Sequence, residues 1–435
     1  MANGNTKPVF RRALILSASV AADDGRLKLF EEIVAPLCAD VHTIAYADSG
    51  HVNLSDKDDV KDDVKDVTPD KTDQHPVSRV RFLKEDCPKA PQRSISQKFS
   101  ELFHMAMAHL PLISDPIKAL SKRPACAALH KHAIDLAGQG WHPDLIVAKH
   151  WTVLPTALHL KREFGGVLWL DINEVMEDEH AHRFGWNVLY RPAIRRLMKR
   201  LNDFQGIAYT MTSFEQVKAQ PHFEATYLPN YKPLASSSAK VRSGKPIRLL
   251  YHGLVLENRR LETVIKAIAN SGRKDLELTI RGYGKPDLMN TIKQEAAKFC
   301  IDNQVIFEPP VANHIVADSA TKHDVGLFVH NNDTLQLQLS EPNKVYEYVS
   351  AGLAVIATGT PVIQHVLGEN GAGIFLDSSE PLEATLTQTL REITVDKVAK
   401  CQKASRILGK SLSNKQNIEA VQKRLIQTSQ NTTGN

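Results

Sequence analysis

The sequence is sparing with cysteine and never pairs it. Five cysteines, Cys38, Cys87, Cys126, Cys300 and Cys401, are scattered through 435 residues. None stands at CxxC spacing, so neither a zinc site nor a disulfide framework is indicated, and a reducing cytosol is the simpler setting. Long apolar runs are also missing. The longest candidate, residues 103–113, is interrupted by His104, His109 and Pro111, and no run reaches the ~18 apolar residues that a membrane-crossing helix needs. Residues 13–22 follow Arg11 and Arg12 as the apolar part of a secretory leader would. Ser17 and Ser19 break that run and a helical pattern follows at once, so a first buried strand is expected instead. Charge of one sign is lacking too. A net +5 with 24% charged residues is too mild to argue for nucleic acid, although it suits anionic substrates or loose contact with an anionic membrane face.

What is present is alternation. A chain of this length exceeds one ordinary core, so two domains are expected. Residues 13–16 read as a strand, and Leu27, Leu29, Phe30, Ile33, Val34 and Leu37 recur at helical spacing before a second strand at 41–45. Residues 51–75 contain DKDDVKDDVKDV, a disordered or solvated acidic insertion without the Gly turn and terminal Glu of a calcium loop. Residues 80–83 fit a strand, and 95–110 a helix with a broad apolar face beside Arg93 and Lys98. Residues 144–148 form a buried strand ending in Lys149-His150-Trp151, and 167–170 another ending in Asp171-Ile172-Asn173-Glu174. A mobile rim is expected at 176–182 and a basic amphipathic helix at 190–204. A Ser-, Lys- and Pro-rich linker covers 231–246. The second half reads as strands at 247–251, 276–280, 305–307, 325–329, 353–357 and 373–376 with helices between, the pattern of a parallel, doubly wound sheet.

Open parallel sheets bind ligands beyond the carboxyl ends of their strands. The stretch SEPNKVYEYVSAGLAVIAT at 340–358 reads as an entry loop, a short helix, a Gly turn and a buried strand. Lys344 and Glu347, three apart on that helix, are either an exposed ion pair or a cation and a carboxylate facing a ligand. After the strand at 247–251, Gly253 allows close backbone approach, and Arg259 precedes a helix whose N-terminus offers free N–H groups to a phosphate. Arg281-Gly282-Tyr283-Gly284 ends the next strand. Near the N-terminus, Asp24 is either a helix cap or a residue of the cleft.

EPNKVYEYVSAGLAVIA resembles the nucleotide-binding segment of GT-B glycosyltransferases, especially those of family 4. The resemblance implies an α/β fold of two Rossmann-like, doubly wound parallel-sheet domains facing across a cleft. It places an acceptor-side domain at 1–230, the linker at 231–246, a nucleotide-sugar-binding domain at 247–410 and a terminal helix or tail at 411–435. It implies that Glu347 holds the donor ribose and that Lys344 and Arg259, with Gly253, Arg281 and Gly282, surround the diphosphate. The nucleobase lies beside 308–312, with Val311 packed against it. Asp24, His150, Asp171 and Glu174 are the candidate catalytic residues on the acceptor side. The implied activity is transfer of a sugar from a nucleotide-sugar donor, of UDP or GDP type, to a glycan or lipid-linked acceptor in surface-polysaccharide synthesis. It is retaining and independent of metal or other cofactor, in the cytoplasm or at its membrane face. Three departures stand out: Leu339 where many relatives carry a further Glu, with Glu341 out of register; Asn173 in place of a His; and Arg260 in place of a Gly. The first two support the alternative of a GT-B binding or partner subunit, and a nucleotide-sugar epimerase is a third reading.

Overall fold

The computed structural model describes residues 8–20, 24–46, 78–83, 96, 99–100, 102–103, 124–178, 184–210, 212, 225–237, 240, 244, 246–331, 335–339 and 341–433. The acidic insertion at 51–75, most of the expected helix at 95–110 and residues 179–183 lie outside them. The chain divides into two units, Met1–Leu228 with Gln416–Asn435, and Pro229–Lys415.

The first unit is built on β1 (Phe10–Val20), β2 (Cys38–Tyr46), β3 (Ser78–Leu83), β4 (Leu145–Lys149), β5 (Val167–Ile172), β6 (Gly206–Tyr209) and β7 (Ala225–Tyr227). These pair in parallel in the order β3-β2-β1-β4-β5-β6-β7. Every residue of β4 and β5 is buried. Their sequences, LIVAK and VLWLDI, are unbroken apolar runs up to their polar ends, as strands covered on both faces require. One face packs Phe30, Ile33 and Val34 of α1 (Gly25–Val34). The other packs α2 (Pro124–Gly138), α3 (Leu154–Phe164) and α4 (Arg191–Met198). The final helix, α10 (Lys415–Thr433), adds Val421 and Leu425 to the face that holds α1. Its Gln422 Nε2 donates to the Ile33 carbonyl at 3.0 Å.

The second unit carries β8 (Ile247–His252), β9 (Leu276–Arg281), β10 (Val305–Glu308), β11 (Val325–Phe328), β12 (Ala354–Thr358) and β13 (Gly373–Leu376). Their order is β10-β9-β8-β11-β12-β13, again all parallel. Around them lie α5 (Leu261–Ser271), α6 (Pro286–Lys298), α7 (Asn343–Ser350), α8 (Leu382–Glu392) and α9 (Val395–Ser411). Chain direction across each sheet reverses at β1/β4 in the first unit and at β8/β11 in the second, and such switch points open a crevice at the carboxyl edge.

Two expectations are corrected. Residues 176–182 are not a free rim at their start, because Met176 is wholly buried in the core and Asp178 pairs with Arg191 at 2.8 Å. The basic helix at 190–204 is shorter than its periodicity suggests. A π-helical turn at Trp186–Tyr190 leads into α4, and a 3-10 turn at Leu201–Asp203 follows. Arg191 and Arg195 of α4 pair with Glu177 and Asp178, so part of its basic character is neutralised locally. Among the described residues no helix is long and apolar enough to cross a membrane.

Candidate functional site

The carboxyl edge of β8 and β9 is a pair of strand ends pressed together by glycine. Gly253 N donates to the Arg281 carbonyl at 2.8 Å, and Val255 N to the Tyr283 carbonyl at 2.8 Å. Gly282 has φ +151, and a Cβ there would lie 2.0 Å from the Gly253 carbonyl oxygen. Backbone would have to move to admit it. Gly282→Ala is therefore expected to lower stability by about 3 kcal/mol or more, read as the denaturation midpoint of the second unit. A change within ~0.5 kcal/mol would contradict this packing.

Helix α7 delivers the charged groups to this edge. Pro342 sits at its N-cap, while Val345, Tyr348 and Val349 face the core. Tyr348 is seated there because Gly326 of β11 leaves room for its ring, which a Cβ would meet at 2.2 Å. This anchorage turns Lys344 toward β8. Its Nζ donates to the Tyr251 hydroxyl at 2.9 Å and lies 4.3 Å from that ring's centroid. A Cβ on Gly253 would come within 2.9 Å of Lys344 Cε, so the glycine also makes space for the lysine. Burial pushes the Lys344 ammonium well below the usual lysine range, and Arg259 pushes it further. Arg259 Nε is itself buried without a hydrogen-bond partner. Lys344, desolvated and repelled by a second cation, thus stands at a strand edge that would favour an anion.

Glu347, one turn along α7, faces a different set. Its Oε2 is 2.9 Å from His252 Nε2 and its Oε1 is 3.8 Å from Lys232 Nζ. Burial alone would raise the carboxyl's pKa, but His252, Lys232 and Lys344 together reverse this and hold it below the usual range. The His252 ring stacks on Tyr348, with centroids 4.6 Å apart and planes inclined by 27°.

The other expected residues of this unit are placed variously. Arg281 ties strands together: Nε donates to Glu308 Oε2 and an Nη to Ser319 Oγ, both at 2.7 Å. Val311 lies half-buried on the loop after β10. Glu341 is buried and accepts from Asn230 N and Tyr346 Oη at 3.1 Å, a structural use of the carboxylate. Arg260 has φ 52, the left-handed conformation that glycine adopts most easily.

In the first unit, two of the four expected catalytic residues meet in a buried ion network. Asp24 caps α1, accepting from Arg26 N at 3.1 Å and Leu27 N at 3.0 Å, and its other oxygen pairs with Lys149. Arg26 grips Asp171 through two bonds, Nε at 2.7 Å and an Nη at 2.5 Å, and donates to the Leu228 carbonyl at 2.8 Å. Asp171 is 0% exposed. His150, next to Lys149, is half-buried with φ 75, a costly conformation for a non-glycine residue that often marks a working site. Its Nδ1 is 3.1 Å from Thr152 Oγ1. Glu174 is half-buried on the loop after β5.

Comparison with solved structures is decisive for the fold of these two switched parallel sheets. Sucrose-phosphate synthase from Thermosynechococcus elongatus is similar over 98% of this chain and 100% of its own, with a TM-score of 0.60 at 14% identity. WaaG, a glycosyltransferase involved in lipopolysaccharide biosynthesis, matches over 94% and 98%, with a TM-score of 0.56 at 13% identity. Anabaena HepE in complex with UDP matches over 95% and 99%, with a TM-score of 0.58 at 12% identity. The fold is that of the GT-B glycosyltransferases. By sequence, no protein-family model and no curated protein matches the chain.

On this GT-B scaffold the sequence had singled out Lys344, Glu347, Arg259 and Gly253, which the structure brings to one edge. It had not singled out His252 or Lys232. A histidine closing an apolar strand just before Gly253 was a usable signal for the first, whereas Lys232 is indistinguishable from the other lysines around it.

Proposed function

We propose that this chain is a glycosyltransferase that moves a sugar from a nucleoside-diphosphate sugar to an acceptor hydroxyl. One observation carries the reading: Lys344 and Arg259 lie close enough to repel at the switch-point edge of the second sheet, and the Glu347 carboxylate beside them only partly offsets this. A diphosphate would neutralise both cations, and a carboxylate one helical turn away suits ribose hydroxyls. The UDP complex of the structurally similar HepE is consistent with that ligand class.

Departure of the diphosphate needs neutralisation, which the two cations and the uncapped N-terminus of α5 provide without metal or other cofactor. We favour retention. The acceptor oxygen bonds to the anomeric carbon on the face from which the diphosphate leaves. The C–O bond to phosphate breaks, and the acceptor proton passes to the leaving phosphate. Such a step requires no strong protein base, in keeping with the ion-paired state of Asp24 and Asp171. Resolving the product anomer by NMR tests it, and an inverted product would return His150 and Glu174 to consideration as bases. The acceptor we propose is a glycan or lipid-linked molecule, approached from the cytoplasmic side with peripheral membrane contact. Phe184 and Val188, exposed beside basic α4, support that placement. A non-catalytic binding subunit is favoured by Leu339, by Asn173 and by the structural use of Glu341, and product formation would decide against it.

A thermal-shift panel of UDP, GDP, ADP and CMP tests the donor site. At ~100 times its dissociation constant the right ligand should add about 2.7 kcal/mol, several degrees of midpoint. Glu347→Ala should abolish most of that shift. If no nucleotide stabilises the folded wild type, the donor reading fails.

A further inference from the structure

The donor reading leaves unexplained why Glu347 is clasped from two sides by residues outside its own helix. His252 comes from the end of β8 and Lys232 from the stretch that opens the second unit. Both reach the Glu347 carboxylate itself, not the Lys344 ammonium. We propose that His252, assisted by Lys232, is a positioning residue that aims the Glu347 carboxylate at the vicinal hydroxyls of a ribose. The site then selects ribonucleotides over deoxyribonucleotides. This inference rests on the donor reading above.

The geometry supplies the reason. His252 is buried and its ring is pinned by the stack on Tyr348, so Nε2 occupies one place. Both ring nitrogens are buried outside hydrogen-bond geometry, but Nε2 lies 2.9 Å from Glu347 Oε2, a close polar contact that holds that oxygen. Lys232, at 3.8 Å, attracts Oε1 without being close enough to saturate it. One oxygen is fixed while the other keeps its acceptor capacity, and the carboxylate plane is set before a ligand arrives. A glutamate without these partners would lose rotamer freedom on binding and would face its own desolvation.

Full-length protein should be titrated calorimetrically with UDP, 2′-deoxy-UDP and inorganic pyrophosphate, repeating with the GDP and ADP pairs. Wild type should prefer the ribonucleotide roughly 10-fold or more over its deoxy form. His252→Ala should bring that ratio close to one, with deoxynucleotide and pyrophosphate affinities within about twofold of wild type. His252→Gln, whose amide can donate from near the place of Nε2, should restore most of the ratio, and Lys232→Met should reduce it in part. Retention of the full preference in His252→Ala overturns the proposal. So does an equal loss for all three probes in a variant whose thermal midpoint is unchanged, or a wild type that binds nucleotides without ribose preference. In these cases the donor site stands. A wild type that binds no nucleoside diphosphate removes the donor reading itself, and this inference with it.

Discussion

Asp171→Ala is expected to destabilise the first unit by about 3–5 kcal/mol. Asp171 is fully buried at the end of β5, and it is the anion to which Arg26 makes two short bonds. Truncating it removes both of those bonds from a guanidinium that is 7% exposed. Breaking a buried ion pair from one side costs far more than the pair contributes over an apolar substitute. The double variant Arg26→Met with Asp171→Leu should consequently be less destabilised than Asp171→Ala, a non-additivity that a double-mutant cycle measures. Urea unfolding followed by tryptophan fluorescence suits the test, since Trp141, Trp151, Trp169 and Trp186 all belong to this unit. If Asp171→Ala leaves the transition in place, Arg26 has another counter-ion and the network has been misread. The experiment also separates two accounts of Asp171. A loss of activity that follows the loss of folded protein marks it as structural.

Lys344→Met carries the second large effect, in which binding and stability move in opposite directions. In the free protein, desolvation and then Arg259 hold the ammonium's pKa below that of the unfolded chain. Over the interval between the two values the unfolded chain binds more protons, so this group makes stability rise with pH there. Removing the charge should flatten that rise and leave the ligand-free protein as stable as wild type or more so. A bound diphosphate opposes that shift, since its charge favours the protonated amine. In the pH interval where Lys344 of the free protein titrates, UDP binding should take up protons, seen as a buffer-dependent enthalpy in calorimetry, and Lys344→Met should remove most of this uptake. Affinity should fall roughly 10- to 100-fold with the loss of a charge-assisted bond to phosphate. Unchanged UDP affinity in this variant would end the case for Lys344 as a donor ligand.

The parts of this structure that could be read from sequence are those whose determinants are close together. Strands such as 325–329 and 353–357 announce themselves because they are buried on both faces and their positions are accordingly apolar. Lys344 and Glu347 stand out because a helix sets residues three apart side by side. Arg26 and Asp171, by contrast, are 145 positions apart, and a pairing over that distance leaves no local trace. Asp24 and Asp171 were singled out for their position at strand and helix ends, which holds, but their partners change what they can do. Arg281 illustrates a signal present but overlooked. Glu308 ends β10 directly opposite it in the parallel register, so its counter-ion was legible from strand alignment alone.

The return of α10 to the first unit has a consequence for the order of synthesis. When Leu228 has been translated, all seven strands of the first sheet exist, yet Val421 and Leu425, which pack with Phe30 and Ile33, do not. The ribosome must first make residues 229–415, the whole second unit, before the helix that completes the earlier core is available. Until then that apolar face stands open to chaperones or to other nascent chains. The second unit, contiguous in sequence, can close first, so the half of the protein begun last is the half able to finish folding first.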